Sequence, residues 1–174
     1  MEQRVFVGIG SNIGNSADNC LSSIERLKED GRAKLLATSS LYATSPVSSI
    51  RQGDFTNCAV SILWDGTPVE LLHLLNGIEH EMGRVREIKD GPRVIDLDIL
   101  LFGDLILKTP SLTIPHPELH RRKFAIIPCV EIDPTLVHPL FKRPLKDFLA
   151  EIGDEQRIQI RRAPGPNFVD KSRL

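Results

Sequence analysis

No stretch of the chain reaches the ~18 consecutive apolar residues that a membrane-spanning helix requires. The opening residues, MEQRVFVGIG, lack the basic start, long apolar run and small-residue cleavage site of a secretory leader. A charge of one sign is missing as well, since 22 Lys and Arg stand against 23 Asp and Glu, a net charge of −1. No global field therefore favours nucleic acid or an anionic membrane, and neither partner is expected. An anionic ligand must be held by a local basic cluster. Cysteine is scarce: Cys20, Cys58 and Cys129 are odd in number and lie far apart among apolar neighbours. A disulfide framework and a zinc site both need other spacings, so reduced core thiols in a cytoplasmic protein are expected. There is no Gly-x-x-x-x-Gly-Lys-Ser/Thr phosphate loop and no Gly-x-Ser-x-Gly nucleophile elbow. The exposed aromatic pattern of an RNA-binding α+β domain is also missing, which leaves that class the weakest of the alternatives.

What is present suits one globular domain of ordinary size: 174 residues, 41% hydrophobic and 26% charged. Residues 5–9 read as a strand, followed by a polar turn at 10–14. Ser16 or Asp18 is placed to cap a helix whose Cys20, Leu21, Ile24 and Leu27 fall at helical spacing. Residues 34–44 read as a second strand, 45–54 as a loop with Pro46 and Gly53, and 55–64 as a third strand. Thr67, Pro68 and Glu70 form a capping box with proline at the first helical position, ahead of an apolar face of Leu71, Leu72, Leu75, Ile78 and Met82. A charged loop at 84–92 leads into a strand at 94–102, and Gly103-Asp104 reads as a hairpin turn into 105–107. Prolines cut the remainder into short pieces, with a short helix near 144–152. The domain is expected to span residues 1–153, with 154–174 a partly ordered C-terminal tail. The βαββα order with hairpin connections departs from a doubly wound parallel sheet. It predicts an α+β sandwich with a mainly antiparallel sheet.

The segment from Gly91 to Gly103 carries the most chemistry. On a strand Asp96 and Asp98 share one face while Ile95, Leu97 and Ile99 take the other. Carboxylates ~6.5–7 Å apart at the Cα can share hard divalent cations that also bind a polyphosphate. The alternative is a solvated polar face, although aspartate is disfavoured in strands and two on one face repel. Arg84, Arg86, Lys89 and Arg93 precede the pair, and His116, Arg121, Arg122 and Lys123 follow it. Guanidinium forks around an acidic pair suit a nucleoside triphosphate, and surface solubility remains the other reading for each arginine. The run Gly8-x-Gly10-x-x-x-Gly14 departs from the dinucleotide fingerprint by one position. Its glycines are expected to turn the chain or let backbone approach something closely.

These residues resemble the 6-hydroxymethyl-7,8-dihydropterin pyrophosphokinase family from about Val5 to Phe148. The matching elements are Gly8 to Asn12, Ser39 to Tyr42 with Thr44, Asp54 to Asn57, and Gly83 to Arg86. Gly91-Pro92-Arg93-Val94-Ile95-Asp96-Leu97-Asp98, Leu101 to Gly103 and Ile114-Pro115-His116 complete the series. The resemblance implies a ferredoxin-like fold and transfer of the β,γ-pyrophosphate of ATP to the pterin hydroxymethyl group, with AMP released. It implies two Mg²⁺ ions on Asp96 and Asp98, and ATP contacts from Asn76, Glu79, Arg84, Arg93, Ile99, His116 and Arg122. Phe55 and Phe124 would sandwich the pterin, Asn57 would read its edge, and Thr44, Pro46 and Val47 would line the same pocket. Arg84, Arg93, Asp96 and Asp98 are the catalytic set, with Asp98 expected to take the hydroxyl proton. Ordinary core packing for the two phenylalanines, and a sheet hydrogen bond for Asn57, are the competing readings without the resemblance. The chain departs from the family at Asp90, where a loop tryptophan is common, which leaves Arg86 and Lys89 as closing residues. It departs again at Asn76, where glutamine is common. Another metal-dependent phosphoryl-transfer enzyme, or a non-catalytic pterin- or nucleotide-binding module, are the alternatives. A monomer is expected.

Overall fold

A computed structural model describes residues 1–46, 51–84, 91–153 and 156–162. The chain begins with β1 (Gln3–Ser11), α1 (Ser16–Glu29), β2 (Ala33–Thr38), β3 (Leu41–Thr44), β4 (Phe55–Trp64) and α2 (Pro68–Glu81). It continues through β5 (Asp96–Phe102), β6 (Leu107–Lys108), β7 (Thr113–Ile114), α3 (Lys123–Ile132), β8 (Val137–His138), β9 (Arg143–Pro144) and β10 (Ile158–Arg162), with short 3-10 helices at Leu119–Arg121 and Leu145–Glu151. The main sheet runs β10-β3-β4-β1-β5, with β2 also paired to β4, and every pairing in it is antiparallel. This is the α+β sandwich read from the element order. None of the described helices is long and apolar enough to cross a membrane.

Alternation along the strands sorts the residues into two layers. Val5, Val7 and Ile9 of β1 and Cys58, Val60 and Ile62 of β4 face α1 and α2, where Cys20, Ile24, Leu27, Leu71, Leu75 and Ile78 bury their apolar stripes. Each fully buried leucine among them contributes about 2 kcal/mol. Phe6, Ala59 and Leu100 face the other way, against Ala125, Ile126 and Cys129 of α3 and Leu145 and Phe148 of the second 3-10 helix. On that face β1 carries Gly8 and Gly10 instead of side chains, which leaves a recess at the end of the sheet. All three cysteines are buried and free.

Several local expectations are corrected. The second strand is two strands, because Ser39 turns inward: its N–H donates to Ala59 O (2.9 Å) and its hydroxyl accepts from Ala59 N–H (2.9 Å). β2 and β3 then pair with different stretches of β4. The cap of α1 is Asn15, whose side chain accepts from Asp18 N–H, instead of Ser16 or Asp18. No strand follows Gly103 directly; β6 lies further on and pairs with β7. Helix α3 runs through Pro128 despite the proline punctuation. Pro128 forfeits one i−4 hydrogen bond, and burial of Ala125, Ile126, Cys129 and Ile132 offsets that loss. The capping box at Thr67 and Glu70 is present in full. Residues 158–162, within the expected tail, form β10 at the sheet edge.

Candidate active site

Three neighbouring strands bring the chemistry together. In register, Gly10 of β1 lies opposite both Asn57 of β4 and Asp96 of β5, and Gly8 lies opposite Asp98. Two interstrand steps of ~4.8 Å place Asn57 and Asp96 about 10 Å apart across the bare glycine backbone. Asp96 and Asp98 share the α3-side face, as the strand period requires.

Asp96 sits between two guanidiniums, with Arg84 Nη1 2.6 Å from Oδ1 and Arg93 Nη1 2.6 Å from Oδ2. Arg84 is aimed there by the end of α2. Gly83 takes a positive φ of 84°, and Arg84 N–H turns back to donate to Glu79 O (3.0 Å). The Glu79 carboxylate, only 4% exposed, pairs with Arg84 and accepts from Leu97 N–H at 2.7 Å, so α2 is tied to β5 between the two aspartates. Burial raises the Glu79 carboxyl above its usual value, against the pull of the Leu97 amide and Arg84. Burial disfavours the Arg84 charge, yet Asp96 and Glu79 hold its pKa above the ordinary one.

Asp98 has a different environment. It lies on the floor of a recess where burial and then the charge of Asp96 push its carboxyl up to about 7, although 41% of its side chain still meets solvent. His116 Nε2 stands 4.0 Å from Asp98 Oδ2. Glu118 N–H donates to His116 Nδ1 (3.1 Å), which leaves the ring proton on Nε2, facing the acid. Burial and then Arg122 push this imidazole down to about 4, so it is neutral near pH 7. The donor set fits magnesium. The charge of Asp96 raises the Asp98 carboxyl, an effect that a cation between them would relieve, and no group of three or more His, Cys, Asp or Glu among the described residues forms a complete cage. Magnesium characteristically takes one or two carboxylates and completes its shell with water and substrate phosphates.

On the other side of Gly10, Asn57 is 6% exposed and its Nδ2 donates to Thr44 Oγ1 (2.6 Å), which fixes the amide. Arg93 and Arg122 lie over the rings of Phe55 and Phe124, at 5.4 and 5.6 Å from the centroids. Two cavities open from this row. One, of about 370 Å³, is lined by Gly10, Pro46, Phe55, Asn57, Phe124 and neighbours; the other, of about 670 Å³, by Asn76, Glu79, Arg84, Ile99 and the 109–113 turn among others. Arg93, Asp96, Asp98, His116 and Arg122 line both. A flat ring in the smaller cavity and a polyphosphate in the larger would therefore meet at the acidic pair.

The site residues expected from sequence that are described here all line one of these cavities, except Thr44, whose hydroxyl accepts from the Asn57 amide behind the wall. Val47, Arg86, Lys89 and Asp90 lie outside the described residues. Sequence reasoning gave no role to Asn12. Its Oδ1 accepts from Arg93 N–H (2.8 Å), its own N–H donates to Arg93 O (3.1 Å), and its Nδ2 donates to Gln52 Oε1 (2.9 Å) and Gly53 O (3.3 Å). It joins Arg93 to the loop over the smaller cavity. Its signals in the sequence are its place in the polar turn after β1 and at the end of the matching Gly8 to Asn12 element. Of the two expectations for Gly10, turning the chain or close approach, the structure shows the second: Asn57 Oδ1 lies 2.6 Å from where a Cβ would sit.

Residues 6–134 match the family model for 7,8-dihydro-6-hydroxymethylpterin-pyrophosphokinase. A 2-amino-4-hydroxy-6-hydroxymethyldihydropteridine pyrophosphokinase of Aquifex aeolicus is 37% identical over 84% of this chain and 91% of its own length. The enzyme of that name from Pseudomonas aeruginosa is 36% identical over 80% of this chain and 86% of its own. A solved Plasmodium falciparum HPPK-DHPS structure with pterin and p-hydrobenzoate superposes with a TM-score of 0.67 over 87% of this chain and 44% of that one. At 16% identity that likeness speaks to the ferredoxin-like fold alone. The chain belongs to the 7,8-dihydro-6-hydroxymethylpterin-pyrophosphokinase family and is a pyrophosphokinase.

Proposed function

We propose that the chain transfers the β,γ-pyrophosphate of ATP to the hydroxymethyl oxygen of 6-hydroxymethyl-7,8-dihydropterin, a step of folate biosynthesis. The observation that carries this reading is the pair of cavities sharing one wall of Asp96, Asp98, Arg93, His116 and Arg122. The pterin lies against Phe55 and Phe124, with Asn57 reading its edge and Pro46 lining the same cavity. The nucleotide lies along Asn76, Glu79 and Ile99, its phosphates toward Arg84, Arg93, His116 and Arg122. Asp96 and Asp98 would hold two magnesium ions, which supply charge neutralisation to the triphosphate when bound.

In the reaction the hydroxyl oxygen forms a bond to the β-phosphorus as the bond from that phosphorus to the α,β-bridging oxygen breaks. AMP leaves with that oxygen, and Asp98 takes the hydroxyl proton. Such transfers need alignment and charge stabilisation more than a strong base. Arg84 and Arg93 are held against Asp96 in this structure. Were Asp96 engaged by a cation, Arg93 would be released toward the phosphates, while Arg84 would keep its pairing with Glu79. The neutral His116 donates from Nε2 without adding a competing cation beside the acidic pair. We place this activity in the cytoplasm, in a monomer acting on small molecules.

The test is nucleotide analysis after incubation with ATP, Mg²⁺ and the pterin. AMP should form only with pterin present, vanish in Asp96→Ala, and fall sharply in Asp98→Asn. ADP, or hydrolysis without pterin, would assign another phosphoryl transfer; near-normal turnover of Asp98→Asn would remove its role as base.

A further inference from the structure

Strand β10 lies beyond residues 6–134, which carry the family match, and no role described so far uses it. It pairs with β3, setting Ile158 opposite Thr44, Gln159 opposite Ala43 and Ile160 opposite Tyr42; Arg162 then falls opposite Leu41. The register slips by one residue between Ile160 and Arg162, so Arg161 is the extra residue of a bulge. A bulge re-aims a side chain, and here it sends the guanidinium across the sheet edge. Arg161 Nη1 donates to Thr56 Oγ1 (2.6 Å) and Ser16 Oγ (3.0 Å), two buried hydroxyls that are themselves 2.7 Å apart. Ser16 is the first residue of α1, where the helix dipole opposes a cation. The guanidinium is thus held by these directed hydrogen bonds and not by general attraction.

Thr56 stands between Phe55 and Asn57, which face the smaller cavity from the opposite side of β4. At the other end of β10, Arg157 brackets the turn that enters the site. Ser45 N–H donates to Arg157 O (3.0 Å), Arg157 N–H donates to Ser45 Oγ (3.0 Å), and Arg157 Nη2 stands 3.9 Å from Asp54 Oδ1. Ser45 and Pro46 line the same cavity. The ladder β10-β3-β4 therefore grips both edges of one wall: the residues either side of Thr56, and the Ser45–Pro46 turn.

We propose that β10 is a clamp that sets the pterin-side wall of the site, with Arg161 and Arg157 as positioning residues for Asn57, Phe55 and the Ser45–Pro46 turn. This rests on the pterin occupying the smaller cavity. Among the described residues the clamp touches nothing that lines the larger cavity alone, so its loss acts on one substrate.

The test uses the full chain with Arg161→Met, which keeps the apolar stem, Arg161→Lys, and Thr56→Val. KM for pterin and for ATP are measured separately, with pterin binding followed by fluorescence. Arg161→Met should raise the pterin KM and Kd roughly tenfold, as expected for losing hydrogen bonds from a charged donor, and leave the ATP KM within about twofold. Arg161→Lys should recover a good part of the loss. Thr56→Val should repeat the loss, and its combination with Arg161→Met should add little more. An unchanged pterin KM in Arg161→Met, or an equal rise for both substrates, overturns the clamp. Failure of the wild-type chain to bind pterin would overturn the site reading itself, a result distinct from either.

Discussion

Replacing Gly10 by alanine should damage pterin recognition while leaving nucleotide binding intact. The added Cβ would lie 2.6 Å from Asn57 Oδ1, far inside van der Waals contact, and 3.9 Å from Phe55 Cδ1. Gly10 is not among the glycines with positive φ, so its backbone accepts alanine and the effect comes from this collision. Asn57 can retreat only by abandoning its 2.6 Å hydrogen bond to Thr44 Oγ1, which is buried. A buried polar group left unpaired costs about 1–3 kcal/mol. If that cost falls on the pterin complex, its KM should rise roughly 5- to 150-fold. Gly8→Ala is the matched control. Its Cβ would meet Leu100 Cδ1 at 3.1 Å, Cδ2 at 3.2 Å and Cγ at 3.3 Å, contacts that a shift of a few tenths of an ångström in that apolar side chain relieves. Its pterin KM should change by less than about fivefold, since a small side-chain adjustment costs under about 1 kcal/mol. The assay is AMP formation with one substrate saturating and the other varied, alongside pterin fluorescence titration. An unchanged pterin KM in Gly10→Ala, or an equal rise in the ATP KM, would refute the reasoning.

Asn12→Ala removes three side-chain hydrogen bonds, to Arg93 N–H, Gln52 and Gly53, and at about 0.5–1 kcal/mol each should lower kcat/KM roughly 10- to 150-fold. Asn12→Asp keeps only the acceptor for Arg93 and should fall between alanine and wild type; an alanine variant within threefold of wild type would contradict the junction role. His138 is 2% exposed, neither of its ring nitrogens has a partner among the described residues, and burial and then His120 push its pKa down to about 4. Below its usual value near 6.5 the unfolded chain binds a proton that the fold refuses, so stability should drop as pH falls from about 6.5 to 4. Urea unfolding across that range should show a shallower pH slope for His138→Phe, and an identical slope would sink the assignment.

The acidic pair was legible because strand periodicity is strict: two aspartates spaced by one leucine must share a face wherever the strand lies. The cap of α2 was legible for the same reason, since Thr67, Pro68 and Glu70 act within one turn and need no distant partner. The Ser39 break was not. Strand propensity runs through it, and only pairing with two separate stretches of β4 divides it. Pro128 misled because proline signals a helix break locally, whereas α3 is decided by what its apolar faces pack against. Even Asn15, Ser16 and Asp18 could each cap α1 on composition, and geometry selects the first.

The site divides along the same line. Asp96, Asp98 and the flanking arginines sit within a short span of sequence and declare a chemistry. Their arrangement depends on residues far away in the chain. Asn12 fixes Arg93 from 81 positions off. Arg161 reaches Thr56 from 105 and Ser16 from 145. Such residues present no motif, because a single polar side chain acquires a role only when the sheet closes around it. The groups that do the chemistry are thus easier to read than the groups that aim them. In this chain the aiming groups converge on Gly10 and its neighbours in β4, where a missing side chain and a fixed amide shape the cavity together.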